Sequence, residues 1–179
     1  MKNRYCFLAL MLIALFLWGA APLDAKILLR PYLQAATPNS VCVVFETDSK
    51  AAPFVVFREE GAKADTAFAY TKEDAGSKLK ETFICKVELR GLKPNTKYIY
   101  YAVHGGDRSP EADFRTLPAS GPIRFAVFGD FRSSGPNHNK VAAAVLKELP
   151  MFSVVTGDLC YSGTYNSWRD DFFQPKESE

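Results

Sequence analysis

From Ile27 to Pro118 apolar and polar residues alternate in short runs divided by turn formers, a period of two that commits this half of the chain to antiparallel β-structure. Val41, Val43 and Phe45 share one strand face, Phe54 to Phe57 opens another strand, and Cys85, Val87 and Leu89 fall on one side of a later one. Tyr98, Tyr100 and Ala102 face opposite to Ile99, Tyr101 and Val103, so both surfaces of that strand are apolar and one is a candidate for being covered. Glu111 to Thr116 reads as the final strand. Leu117 to Pro122, with two prolines, a serine and a glycine, reads as a linker.

After Pro122 the pattern changes. Ile123 to Phe128 is an apolar strand interrupted only by Arg124, and it ends on Gly129 and Asp130. Pro136 suits a first helical turn, Val141, Ala142, Val145, Leu146 and Leu149 recur at helical spacing, and Pro150 ends the helix. Met151 to Thr156 is a second buried-type strand that closes on another Gly-Asp pair, Gly157 and Asp158. Strand, helix and strand make a βαβ unit. The remaining tail, Ser162 to Glu179, sets Trp168, Phe172 and Phe173 among charges and stops without a natural element end, as in a chain cut short.

Lys2 and Arg4 precede an apolar run from Cys6 to Trp18, followed by Gly19, Ala20 and Ala21, the order of a secretory signal peptide. Cleavage fits after Ala21 or after Ala25, and we take residues 1–25 as the signal. The run is shorter than the roughly 20 apolar residues that cross a bilayer, so no stable membrane anchor is expected. The destination is secreted, periplasmic or extracellular. Three cysteines then remain, Cys42, Cys85 and Cys160; the first two point to opposite strand faces, and all three are read as thiols rather than half-cystines. A hydrophobic content of 47% excludes a disordered chain, and a net charge of +2 supplies no field for nucleic acid.

Two Gly-Asp strand ends in one right-handed crossover carry the chemical signal. Neighbouring parallel strands lie about 4.8 Å apart and open their carboxyl ends on one sheet edge, where ligands collect. Asp130 and Asp158 are thereby set side by side, and two carboxylates so close repel unless a cation or a proton lies between them. Either acid alone is an ordinary strand-to-turn residue. The pair, with Tyr161 three residues after Asp158, points to a metal.

Leu92, Pro94, Thr96 and Tyr98 resemble the tyrosine corner of fibronectin type III-like sandwiches, in which a hydroxyl ties strand to loop. Phe128-Gly129-Asp130 and Gly157-Asp158-Leu159-Cys160-Tyr161 resemble the opening motifs of the purple acid phosphatases, within the calcineurin-like metallophosphoesterases. The resemblance implies an all-β immunoglobulin/fibronectin III-like sandwich at residues 26–118, followed by the first βαβ unit of an α/β metallophosphoesterase domain, incomplete, at 123–179. It implies a binuclear metal centre, Fe(III) with Zn, Fe or Mn, acting on phosphate monoesters. Asp130 is similar to the ferric ligand, Asp158 to the ligand bridging both metals, and Tyr161 to the tyrosinate. A phenol with a pKa near 10 ligates as phenolate at lower pH only beside a strong Lewis acid, which makes the Asp-x-x-Tyr spacing more telling than Gly-Asp.

The chain departs from that pattern in two places. Arg132 stands where the family commonly has glycine, and it is read as facing solvent in preference to contacting phosphate. No Gly-Asn-His motif is present, and the two histidines do not replace it: His138, near the start of the helix, is assigned a solvated or capping role, and His104 lies near the last turn of the sandwich. Half a metal site is therefore expected, no catalytic residue is assignable beyond its ligands, and the chain alone is expected to be inactive as an acid phosphatase. The alternative is a secreted β-sandwich binding or adhesion module with a non-catalytic α/β remnant.

Overall fold

The structure, a computed structural model, describes residues 25–49, 51–69, 71–74, 81–130 and 135–173, with backbone alone at 71–74 and 135–136. Residues 1–24 of the expected signal segment 1–25, and Arg132, lie outside the described residues.

Two antiparallel sheets face each other. One has the order β1 (Ile27–Gln34), β2 (Ser40–Thr47), β6 (Phe83–Arg90), β5 (Thr71–Asp74). The other runs β4 (Asp65–Phe68), β3 (Phe54–Glu59), β7 (Lys97–His104), β8 (Asp107–Arg108), with β9 (Ala112–Arg115) also on β7. The core between them is built by the alternation: Val41, Val43 and Phe45 of β2 and Cys85, Val87 and Leu89 of β6 are all buried. Tyr100 and Ala102 of β7 close it from the opposite sheet. Burying one side chain of this size stabilises the fold by about 1.5–3 kcal/mol, so these inward rows hold the two sheets together. Edge strand β1 tolerates Pro31 because its outer side needs no ladder donor, and its register with β2 shifts between Leu29 and Tyr32. No disulfide joins Cys42, Cys85 and Cys160.

The corner residue performs as its position predicts. Tyr98, buried and stacked on Phe114 at 5.6 Å, accepts a 3.0 Å hydrogen bond at its hydroxyl from the Lys93 amide. The linker begins pinned to the sandwich, the Leu117 amide donating to Thr37 O at 3.3 Å and Leu117 O accepting from the Asn95 amide at 3.1 Å.

Beyond it, β10 (Phe125–Phe128) and β11 (Phe152–Val155) pair in parallel, Phe125 opposite Phe152 and Phe128 opposite Val155, with helix α1 (Gly135–Lys147) between them in sequence. Arg124 Nη1 donates to Glu148 O at 3.0 Å, and Arg124 O accepts from the Met151 amide at 2.8 Å, so the one cation of the strand secures the exit from the helix. The strands differ from the buried-type reading. Phe125, Val127 and Val154 are exposed, as are Val141, Leu146 and Leu149 of the helical stripe. Two strands and one helix have too few neighbours to cover both sheet faces, so apolar spacing here marks faces available for burial rather than faces buried.

The tail also departs from expectation. Tyr165–Ser167 forms a short helix, α2, capped by Thr164, and Trp168–Phe173 continues it as a π-helical turn. Phe173 packs on Tyr32 of β1 at 4.7 Å, and Phe172 meets His138 of α1 edge-on at 5.8 Å. His138 is therefore half-buried, with one side of its ring against an aromatic neighbour.

Candidate functional site

The parallel ladder continues past the strands into the two Gly-Asp pairs. The Thr156 amide donates to Phe128 O at 3.0 Å and the Asp130 amide to Gly157 O at 3.2 Å. This places Asp130 beside the Gly157-Asp158 peptide, with both acids exposed on the carboxyl-terminal edge. Gly129 is what permits so close an approach: a Cβ there would stand 2.4 Å from Thr156 Oγ1 and 3.3 Å from Gly157 O.

Both aspartates adopt the left-handed backbone region, Asp130 at φ +59° and Asp158 at φ +50°. Residues with side chains occupy this region sparingly, aspartate being among the more tolerant, and such conformations gather where a site dictates side-chain direction. Two such aspartates at adjoining strand ends, offset by one residue in the ladder, are more specific than the Gly-Asp sequence alone.

Tyr161 is 74% exposed, in the turn after Asp158. Its amide donates to Asp171 Oδ2 at 2.9 Å, and the Ser167 hydroxyl donates to the same oxygen. These two bonds, Ser167 first, hold the Asp171 carboxyl below the usual carboxylate range. The Ser162 amide in turn donates to Ser167 Oγ at 3.0 Å, which folds the turn onto its own helix.

Asp130 and Asp158 are thus brought to one edge by the backbone, with Tyr161 on the adjoining loop. Among the described residues no group of three or more His, Cys, Asp and Glu side chains converges to hold a metal. Both histidines lie elsewhere. His138 packs on Phe172, and His104 is fully buried in the sandwich with Nε2 2.9 Å from Ser49 Oγ and 3.7 Å from Asp48 Oδ1. Two carboxylates and a phenol are hard oxygen donors that suit a ferric ion, and they fit part of a metal shell.

The sequence reading passed over the supports of this loop. Glu46 of β2 is fully buried on the face turned away from the core, and its Oε1 accepts a hydrogen bond from the Tyr165 hydroxyl. Burial first and the Glu46 bond second raise the Tyr165 pKa above its ordinary value. Tyr32, on the same face, is pushed up to about 12 by burial and then by Cys42 and Glu46. The available signal was in β2, where Val44 lies between Cys42 and Glu46 on the outward row and made that row part apolar.

The family model of the purple acid phosphatase N-terminal domain matches residues 29–116. Probable purple acid phosphatase 20 of Arabidopsis thaliana is 29% identical over 143 residues, covering 79% of this chain and 33% of that protein. Purple acid phosphatase 21 of the same plant is 33% identical over 110 residues, 58% of this chain and 24% of that protein. The solved structure of PhoD is 18% identical with a TM-score of 0.51, covering 74% of this chain and 27% of that one, a likeness of fold. The chain spans 22% to 33% of the length of the curated relatives it matches.

Proposed function

We propose, from a chain whose residues 29–116 are a purple acid phosphatase N-terminal region, that this protein is the N-terminal portion of an exported metal-dependent phosphate monoester hydrolase. The observation that carries the reading is the pair of left-handed aspartates, Asp130 and Asp158, at hydrogen-bonded ends of two parallel strands. The 143-residue alignment with a plant purple acid phosphatase is longer than the sandwich match, which supports extending the reading into residues 123–179 as the start of a metallophosphoesterase domain.

In this reading Asp130 and Tyr161 would hold a ferric ion, and Asp158 would serve both that ion and a divalent one. Such a pair of ions, when bound, supplies Lewis acidity toward phosphate and lowers the pKa of water. The chain's own residues present oxygen donors at one sheet edge, hold the two strand ends at a fixed separation, and keep the edge open to an anionic substrate. No proton-transfer group is assigned to it. Export rests on Lys2, Arg4 and the apolar run that follows. Among the described residues no helix is long and apolar enough to cross a membrane.

Ferric titration of the chain, followed in the visible, tests the assignment. A tyrosinate-to-iron band is expected that disappears in Tyr161→Phe, and iron binding is expected to weaken at least tenfold in Asp158→Asn, the loss of one charged ligand. Iron binding indifferent to both changes would defeat the metal reading and leave the sandwich binding module as the better account.

A further inference from the structure

The Tyr161 turn is connected to the sandwich by an unbroken series of contacts. Its amide is held by Asp171, Asp171 is held by Ser167, and Ser167 closes the short helix that begins at Tyr165. The Tyr165 hydroxyl ends the series by donating to Glu46 Oε1. The two residues are 119 positions apart, so this bond joins the β-sandwich to the loop following β11. Phe173 on Tyr32 and Phe172 on His138 place the same segment against both parts of the molecule.

We infer that Glu46 and Tyr165 are positioning residues: their bond anchors the Tyr161 turn to the sandwich and so sets where the phenol stands relative to Asp130 and Asp158. The anchoring itself is read from the contacts alone; its value to metal binding rests on the reading proposed above. Glu46 is suited to the task because it is fully buried and its other oxygen, Oε2, meets no hydrogen-bonding partner among the described residues. The Tyr165 hydroxyl is therefore the bond that makes burial of this carboxylate tolerable. Without it the carboxylate would be drawn back to water, which lifting of the tail would admit. A purely apolar contact between tail and sheet would lack this dependence.

Hydrogen exchange across the whole chain, resolved to peptides, separates the two. Tyr165→Phe should speed exchange at the Tyr161 amide and through residues 165–173 by roughly 10- to 100-fold, the effect of losing a hydrogen bond to a charged group, with β3 and β6 unchanged. Glu46→Gln retains an acceptor and should keep the slow rates. The pair Tyr165→Phe with Glu46→Leu removes both polar partners and should restore most of the protection. Ferric titration of Tyr165→Phe should show a weaker visible band. Unchanged exchange in Tyr165→Phe, or no recovery in the double variant, would overturn the anchor whatever the band does. A missing band in the unmodified chain would defeat the metal reading, while the exchange rates still judge the anchor.

Discussion

Gly129→Ala is the sharpest test of whether the two strand ends are held as closely as the site requires. The added Cβ would lie 2.4 Å from Thr156 Oγ1, with Gly157 O and N at 3.3 and 3.4 Å. Relief requires an opening of about 1 Å to reach ordinary contact distance. Rotating Thr156 removes the worst clash, but it gives up the 3.4 Å approach of Oγ1 to Phe128 O and leaves the tight backbone contacts in place. Overpacking of this kind costs about 1–3 kcal/mol, and every 1.4 kcal/mol is about tenfold in an equilibrium. The amides of Asp130 and Thr156, which bridge the strand ends, should therefore exchange between a few-fold and about 100-fold faster. Adding Thr156→Ala removes the clashing oxygen and should recover most of the loss, because residues in contact are not additive. Ferric affinity should follow the same order across the three proteins. Exchange rates unaffected by Gly129→Ala, or a double variant no better than the single, would mean that the strand ends are not in close contact and that the acids are not held as a pair.

Tyr98→Phe leaves the Lys93 amide without its acceptor and should cost about 1–2 kcal/mol. For a domain of this size that is a fall in Tm of roughly 4–8 °C per kcal/mol in a thermal melt; an unchanged Tm would show that the corner bond is not stabilising. Tyr32 and Tyr100 both have pKa values raised to about 12, burial being the first cause in each. A folded-state pKa above the unfolded value of about 10 contributes stability that is fully present below pH 10 and is lost as the pH rises toward 12. Absorbance at the phenolate band together with circular dichroism should show late titration coinciding with loss of β-structure, and ionisation near pH 10 in a still-folded protein would contradict the burial of both rings.

How far the fold was legible depended on whether a segment's partners were local or implied by pattern. Rows such as Val41, Val43, Phe45 and Cys85, Val87, Leu89 declare one buried face by alternation alone, and both are buried as read. The corner was legible because Tyr98 and Lys93 are five residues apart and one hydroxyl suffices. Strands β4, β5 and β8 were not separately legible. Asp65–Phe68 and Thr71–Asp74 are short and largely polar, Asp107–Arg108 is two residues long, and each exists because a longer neighbour offers it a ladder. The Gly-Asp pairs marked two strand ends, but the left-handed turn at each aspartate and the steric demand on Gly129 are properties of the paired backbones and have no sequence period.

Illegibility was greatest where distant polar groups meet. The outward row of β2 holds Cys42, Val44 and Glu46, and by alternation alone a glutamate there belongs in water. It is buried because the aromatic tail covers that face, and the tail had no visible reason to do so from its own sequence. Taken together the two segments explain each other. Phe172 and Phe173 supply apolar area that would pack on many surfaces, whereas a buried carboxylate accepts a hydroxyl at one place only. A specific polar contact within a largely aromatic interface sets register at some cost in stability, as a polar residue does in other packed interfaces. The register set here is that of the loop carrying Tyr161, so on the inference drawn above a glutamate away from the sheet edge helps set where the Tyr161 phenol stands relative to the acids at that edge.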